Sequence, residues 1–136
     1  PTGVINACAV VRDYTSICPS YLSERVSSAV LENRAAFLTR SLSLANTNFN
    51  LVKEWMAANS ESVSWVSPEG GVVCFPAYAS PLASERLCSK LAEERGVLLV
   101  PGTCFDVEGR FRLGFGYDTE KLREGLSRLE SFLRTL

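Results

Sequence analysis

The sequence contains no histidine, and this absence excludes more kinds of chemistry than any other feature of its composition. Without histidine the chain cannot form a Ser–His–Asp or Cys–His catalytic site, a histidine-ligated zinc site or a histidine-based pH switch. Any reaction that the chain catalyses alone must therefore depend on carboxylates, lysine, arginine, tyrosine or thiols.

The sequence also lacks an excess of either charge, because 14 Lys and Arg face 15 Asp and Glu for a net charge of −1. Binding to a phosphate backbone depends on clustered basic residues, so we expect no nucleic-acid partner. No apolar run reaches the ~18 residues that a membrane span needs, and we expect no membrane contact. The first residues lack the basic and apolar regions of a signal peptide.

The five cysteines form no evident framework. Their number is odd and no two form a CxxC pair, which argues against disulfides and against a zinc site. Scattered cysteines are usually small buried apolar side chains, and free thiols are typical of a cytoplasmic protein. We therefore expect no bound metal and a cytoplasmic location.

Residues 1–60 predict a helical segment. A short helix is predicted over 3–13, a break over 14–19 and a long interdomain helix over 20–59. Serine, threonine and asparagine over 41–50 compete for the backbone, so we expect the long helix to bend or break there. We also expect an exposed apolar patch on it, formed by Phe37, Leu38, Leu42 and Leu44.

Residues 61–136 predict a small α/β domain. The patterns predict, in order, a strand over 62–66, a turn over 68–71, a strand over 72–75, a loop over 77–83, a helix over 84–95, strands over 97–100 and 110–115, and a last helix from about 119. The first two strands are predicted to form a hairpin. Ser84 and either Asp118 or Thr119 are predicted N-caps, and Gly96 a left-handed helix end. The expected fold is α+β: a two-layer domain with a three- to four-stranded, mostly antiparallel sheet and helices on one face.

Several residues are weak candidates for chemistry. The three lysines, Lys53, Lys90 and Lys121, lie among polar neighbours and are interpreted as solvated. Asp106 and Glu108 are interpreted as members of a surface turn. Cys104 has no base nearby, so a nucleophilic role is not expected. The run 114–116 (Gly-Phe-Gly) lacks the third glycine of a phosphate loop.

Arg112 is the strongest candidate for a binding residue. In the predicted strand it lies on the face opposite Phe111, Leu113 and Phe115, and Gly114 is its neighbour on the same face. A residue without a side chain leaves room for a planar ligand, and the guanidinium group suits bidentate binding of a carboxylate. The alternative interpretation is a structural ion pair.

The order of motifs resembles the carboxyl-terminal small domain of pyridoxal-phosphate-dependent aminotransferases of classes I and II, the fold-type-I enzymes. The motifs that carry the resemblance are Trp65-Val-Ser-Pro-Glu-Gly-Gly71, Val72-Val-Cys-Phe-Pro76, Leu87-Cys-Ser-Lys-Leu-Ala-Glu-Glu-Arg-Gly-Val97, Val100-Pro-Gly-Thr-Cys-Phe105 and Gly109-Arg-Phe-Arg-Leu-Gly-Phe-Gly116. The run from Arg12 to Pro19 and the long helix after it also look like this family.

The resemblance implies roles for particular residues. Arg112 stands where the family has the arginine that pairs with the α-carboxylate of an amino-acid substrate, and Arg110 is a weaker candidate. Tyr14 and Thr15 would lie near a subunit interface and the mouth of the active site. The partners implied are the large domain of the same enzyme, a second subunit of a homodimer and an amino-acid substrate.

The sequence departs from the family in one large respect. It contains no Ser-x-x-Lys segment followed by a Leu-Arg-x-Gly stretch, where the family has its catalytic lysine. We therefore expect pyridoxal 5'-phosphate in a longer parent enzyme and none in this fragment, which would be inactive alone. The parent would be an aminotransferase, or a lyase or cyclase of the same fold. The alternative is a self-standing, noncatalytic α+β module for ligand binding or dimerisation.

Overall fold

The computed structural model describes residues 1–136, which form five α-helices and five short strands. In chain order these are α1 (Thr2–Thr15), α2 (Tyr21–Glu32), α3 (Arg34–Ala58), β1 (Val63–Ser64), β2 (Val73–Cys74), β3 (Ala77–Tyr78), α4 (Ser84–Arg95), β4 (Val100–Pro101) and, after a 3-10 turn at Gly102–Phe105, β5 (Phe111–Gly114) and α5 (Thr119–Leu133). The chain divides into two compact units, Pro1–Thr39 and Arg40–Leu136. None of the helices combines the length and the apolar character that crossing a membrane requires.

The first unit contains α1, α2 and the start of α3, and every side chain in it is exposed. The short first helix is confirmed, but it continues through Tyr14 and Thr15, where the sequence predicts a break. The hydroxyl of Thr15 donates to the carbonyl oxygens of Val11 and Arg12, and these bonds lie in the last turn of the helix.

The long helix is interrupted at Asn33, and the helix does not break over 41–50, because α3 is continuous from Arg34 to Ala58; the predicted bend there stays a prediction. Asn48, inside the stretch predicted to bend or break, is fully buried, and its side-chain amide donates to the carbonyl oxygens of Phe115 and Tyr117 at 2.8 and 2.7 Å. Its own Oδ1 accepts from the Thr119 hydroxyl at 2.8 Å. The side chain is thus bonded outside the helix and does not compete for the helix backbone.

The strands form two antiparallel sheets, one with the order β2-β5-β4 and one in which β1 pairs with β3. The predicted hairpin is therefore wrong, because its two strands belong to different sheets. Strand β3 also lies in the segment predicted as a loop. In the larger sheet Cys74 pairs with Leu113, and both side chains are buried. Alternation shows which side chains face inward, but it does not identify the neighbouring strand.

The α+β, two-layer prediction is confirmed in the second unit. Helices and the larger sheet share one apolar core, whose members include Val52, Trp55 and Met56 of α3, Leu87 and Leu91 of α4, Phe111 and Leu113 of β5, and Leu126, Leu129 and Phe132 of α5. The sheet therefore has one face in the core and leaves the other for side chains such as Arg112.

Two of the predicted helix ends are confirmed and one is wrong. Gly96 has a left-handed backbone (φ 67°), and the side chain of Asp118 accepts a hydrogen bond from the Lys121 N–H at 2.9 Å. Ser84 is the first residue of α4 and makes no side-chain cap; its N–H instead donates to Glu108 Oε1 at 2.6 Å. The predicted strand over 97–100 is shifted, since β4 begins at Val100.

The predicted burial of the cysteines is confirmed in part, and so is the predicted exposed apolar patch. Cys74 and Cys88 are buried, whereas Cys8, Cys18 and Cys104 are exposed. Three of the four apolar residues expected in the patch are about half exposed, and Leu44 is only partly exposed.

Candidate functional site

Arg112 projects from the middle of the larger sheet. Strand β5 lies between β2 and β4, and Arg112 stands opposite Val100 in the register. Its neighbours Phe111 and Leu113 are buried, while Arg112 and Gly114 are exposed, as the alternation predicts. A central strand is held by hydrogen bonds on both sides, so it fixes the backbone of Arg112.

A hollow of about 380 Å³ lies beside Arg112 on the outer face of the sheet. Its other lining residues are Val66, Pro68, Val73, Cys74, Phe75 and Phe105, so the guanidinium is its only charged group. A Cβ atom placed on Gly114 would meet no atom within 4 Å, which leaves space next to Arg112. A single cation beside an apolar surface is suited to a small ligand with one anionic group, whether the rest of the ligand is apolar or polar.

The guanidinium of Arg112 is not used in an ion pair. The three ion pairs of the structure join Lys90 to Glu94, Arg128 to Glu124 and Arg134 to Glu130. Arg112 instead lies over the ring of Phe105, with 5.5 Å between its Cζ and the ring centroid. The alternative interpretation of Arg112 as a structural ion pair is therefore wrong, since none of the three ion pairs includes its guanidinium.

Arg110, the weaker candidate, has a structural bond. Its Nη1 donates to the carbonyl oxygen of Phe75 at 3.0 Å, and its Cζ lies 5.9 Å from the centroid of the Phe75 ring. An arginine tied to the backbone in this way has fewer N–H groups free for a ligand than Arg112 has.

Tyr14 and Thr15 lie in the first unit, at the end of α1. The Tyr14 side chain is 88% exposed, and the Thr15 hydroxyl bonds within its own helix. Their assignment to a subunit interface and an active-site mouth stays a prediction.

Glu108 has a role that the sequence did not reveal. Its Oε1 accepts from the backbone N–H of Ser84 at 2.6 Å and of Gly109 at 2.9 Å, and the Tyr78 hydroxyl lies 3.4 Å away. These backbone bonds, first Gly109 and then Ser84, hold the pKa of Glu108 below its usual range. One carboxylate thus joins the start of α4 to the turn before β5, whereas the sequence placed it in a surface turn.

Tyr78 and the buried thiols are poor acids. Burial raises the pKa of Tyr78 to about 12, with a further contribution from the charge of Glu108. Burial likewise raises the pKa of Cys74 to about 12 and that of Cys88 to about 11. Because the thiolate is the nucleophile, these two cysteines serve as apolar core residues rather than as reactive groups.

The residues around Arg112 do not fit pyridoxal phosphate by themselves. None of the three lysines lines the hollow: Lys90 pairs with Glu94 on α4, Lys121 lies over the Tyr117 ring, and Lys53 is exposed on α3. The hollow therefore offers no amine for an imine bond with the cofactor.

Within the run 114–116, Gly116 is required for close packing. A Cβ atom on Gly116 would lie 2.7 Å from the side chain of Val72, so the glycine permits this close approach. The start of α5 after it is capped by the carboxylate of Asp118, which would repel an anion.

Comparison with known proteins gives one consistent family. A family model described as aminotransferase class I and II matches residues 4–129. Capreomycidine synthase from Streptomyces vinaceus is 33% identical over 135 residues, which cover 99% of this chain and 35% of that protein.

Solved structures agree in fold as well as in sequence. A PLP-dependent aminotransferase from Streptococcus suis 89-1591 superimposes with a TM-score of 0.85 and 34% identity, over 91% of this chain and 33% of that one. The PLP-dependent cyclase OrfR superimposes with a TM-score of 0.84 and 36% identity, over 99% of this chain and 37% of that one. The chain spans about a third of the length of these relatives. Since the family model covers nearly all of its residues, the chain belongs to the class I and II aminotransferases.

Proposed function

We propose that this chain is the carboxyl-terminal small domain of a larger pyridoxal-phosphate-dependent enzyme that transfers an amino group between an amino acid and a 2-oxo acid. Arg112 binds the α-carboxylate of the substrate. The observation that supports this role is the position of its guanidinium, which is free of ion pairs and borders an apolar hollow on the outer face of the sheet.

The chemistry of the reaction explains why one arginine is needed here. An amino acid must meet the cofactor in one orientation, and its carboxylate is the group common to all such substrates. A guanidinium can bind a carboxylate through two parallel N–H···O bonds, which fix direction as well as position. Strand β5 supplies a rigid base for this group because it is the central strand of its sheet.

The cofactor belongs to the parent enzyme in this proposal, and the fragment alone is inactive. When bound there, pyridoxal phosphate supplies an electron sink for bonds at the α-carbon of the amino acid. The lysine and the phosphate-binding groups would come from the large domain, as in fold-type-I enzymes. The small domain would contribute Arg112 and close over the substrate.

The partners follow from the same proposal. The exposed apolar side chains of residues 1–39 would be covered by the large domain or by a second subunit of a homodimer. Tyr14 and Thr15 would lie near the mouth of the active site. Five free cysteines are in keeping with a cytoplasmic enzyme.

A cyclase or lyase of the same fold is the second candidate. Two of the relatives carry names other than aminotransferase, capreomycidine synthase at 33% identity and the cyclase OrfR at 36%. Product analysis separates the two reactions: an aminotransferase turns a second 2-oxo acid into an amino acid, whereas a cyclase keeps the nitrogen in its product.

The proposal is tested in the full-length enzyme with Arg112→Ala and with Arg123→Ala, an exposed arginine of α5, as the matched control. Loss of a charged hydrogen-bonding partner costs ~1.5–3 kcal/mol, so we expect KM for amino acids to rise about 10- to 100-fold. Affinity for pyridoxal phosphate, measured by titration, should stay within about twofold. An unchanged KM would remove Arg112 from the site.

Two further experiments distinguish the enzyme from the alternative of a self-standing, noncatalytic module. The coding sequence upstream of Pro1 should contain a lysine in a Schiff-base motif, and its absence would end the catalytic proposal. Saturable binding of amino acids by the isolated 136-residue chain without cofactor would favour the module.

A further inference from the structure

We propose that Phe105 is a positioning residue for Arg112: its ring holds the guanidinium so that the N–H edge, and not the face, meets the substrate carboxylate. The inference rests on the proposed function of Arg112. It assigns a role to a residue of the 3-10 turn that has no polar group of its own.

Four side chains form a row, with a guanidinium group at each end and two aromatic rings between them. Their order is Arg112, Phe105, Phe75 and Arg110. The Cζ atom of Arg112 lies 5.5 Å from the centroid of Phe105. The Phe105 ring meets the ring of Phe75 edge to face, with 5.5 Å between centroids and 80° between planes. The other end of the row is Arg110, whose Cζ lies 5.9 Å from the centroid of Phe75.

The two ends of this row differ. Arg110 is fixed, because its Nη1 donates to the carbonyl oxygen of Phe75 at 3.0 Å. Arg112 has no hydrogen bond to the protein and touches the row only through the Phe105 ring. The row is thus held at the Arg110 end and presents a free guanidinium at the Arg112 end.

The backbone holds Phe105 in place independently of its ring. The Gly102 N–H donates to the carbonyl oxygen of Arg110 at 2.8 Å, and the Val107 N–H donates to that of Gly102 at 3.1 Å. A Cβ atom on Gly102 would collide with the carbonyl oxygens of Val107 and Arg110, so the turn requires glycine there. Substitution of the ring should therefore leave the turn folded.

The physical reason for the role is the freedom of an arginine side chain. A free guanidinium samples many rotamers and loses that freedom when it binds a ligand. A cation that rests on an aromatic face is attracted by the ring, and this limits the orientations it adopts. Its N–H bonds then point outward in the guanidinium plane, which is where a bidentate carboxylate must bind.

The test uses the full-length enzyme and compares Phe105→Leu with Phe105→Tyr and with Phe49→Leu. Phe49 is a partly buried ring, whereas Phe105 is 44% exposed, and Phe49 packs against Trp65 and Phe115 rather than against an arginine. L-aspartate, L-alanine and L-phenylalanine are each assayed with 2-oxoglutarate. The amino acid that the unsubstituted enzyme converts with the highest kcat/KM is then used to compare the variants.

We expect Phe105→Leu to raise KM about fivefold, which corresponds to the ~1 kcal/mol of a partly exposed cation–ring contact. In the same variant kcat should change less than about twofold. Phe105→Tyr keeps an aromatic ring and should have the KM of the unsubstituted enzyme. Phe49→Leu should also leave KM unchanged. A KM unaffected by Phe105→Leu, or one equally raised by Phe49→Leu, would overturn the inference.

A double-substitution experiment separates positioning from direct contact with the substrate. If the ring acts through the guanidinium, Phe105→Leu should have no further effect on KM in the Arg112→Ala enzyme. Additive effects would contradict the inference and leave the role of Arg112 intact. An unchanged KM in Arg112→Ala alone would instead overturn the proposed function, and the inference with it.

Discussion

The two units of the chain share helix-forming sequences but differ completely in burial. No side chain of residues 1–39 is buried, and apolar residues such as Ile5 and Leu22 are 67% and 73% exposed. In the second unit Val52, Leu87 and Phe111 are fully buried in one core. Apolar periodicity forms helices in both units, but only the second contains a sheet against which its helices pack.

The two units therefore differ in the surfaces that they present. The second unit builds a rigid sheet and places Arg112 on the free face of it. The first unit presents apolar side chains such as Ile5 and Leu22 to solvent. Substitutions in the two units should therefore have unequal effects on stability.

The largest contrast is expected between Phe111→Ala and Leu22→Ala in urea denaturation of the 136-residue chain. Removal of the fully buried Phe111 ring should lower the free energy of unfolding by ~3–5 kcal/mol. The exposed Leu22 should change it by less than ~0.5 kcal/mol. Similar losses for both would show that residues 1–39 are packed in solution.

A smaller contrast is expected between two asparagines of α3. Asn48→Ala leaves the carbonyl oxygens of Phe115 and Tyr117 without their donor, which should cost ~2–3 kcal/mol. Asn50→Ala, on the exposed side of the same helix, is the control and should be nearly neutral. Equal unfolding midpoints for the two variants would contradict the role assigned to Asn48.

The smallest effect is expected for Glu108→Gln, and it depends on pH. Because the pKa of Glu108 is lowered in the folded chain, its contribution to the free energy of unfolding is complete above the ordinary value of 4.5. That contribution disappears as the pH falls through the lower folded pKa. The difference between the native chain and Glu108→Gln should therefore be constant near neutral pH and shrink in acid.

Denaturation at a series of pH values measures this difference. Glu24→Gln, an exposed substitution in the first unit, controls for the loss of one charge. A difference that grows in acid would show that Glu108 does not act as an ionised acceptor.

The sequence predicted the class of the fold and the face on which Arg112 lies, because both depend on local alternation. The burial of Phe111 and Leu113 on one side of β5 follows from a period of two. The cap formed by Asp118 and the left-handed backbone of Gly96 were also predictable, because each depends on the type of one residue.

The errors concern interactions between residues distant in the sequence. Strand β1 pairs with β3, although the turn signal lies between β1 and β2. The polar stretch 41–50 indicates a weakened helix, because the partners that Asn48 bonds lie 67 to 71 residues away in the sequence. Glu108 and the ring row of Phe75 and Phe105 were missed for the same reason, since no local pattern reveals a contact across the sheet.

The hydrogen bonds of Asn48 have a consequence for how the length of this helix varies in evolution. Asn48 faces the end of β5, while Val52 and Trp55 face the core. A single rotation of α3 about its axis must therefore place all three side chains correctly. One residue inserted between Asn48 and Val52 would turn the asparagine by about 100° away from its partners. Insertions and deletions should therefore accumulate on the amino-terminal side of Asn48, and the last three turns of α3 should keep a constant length among homologues.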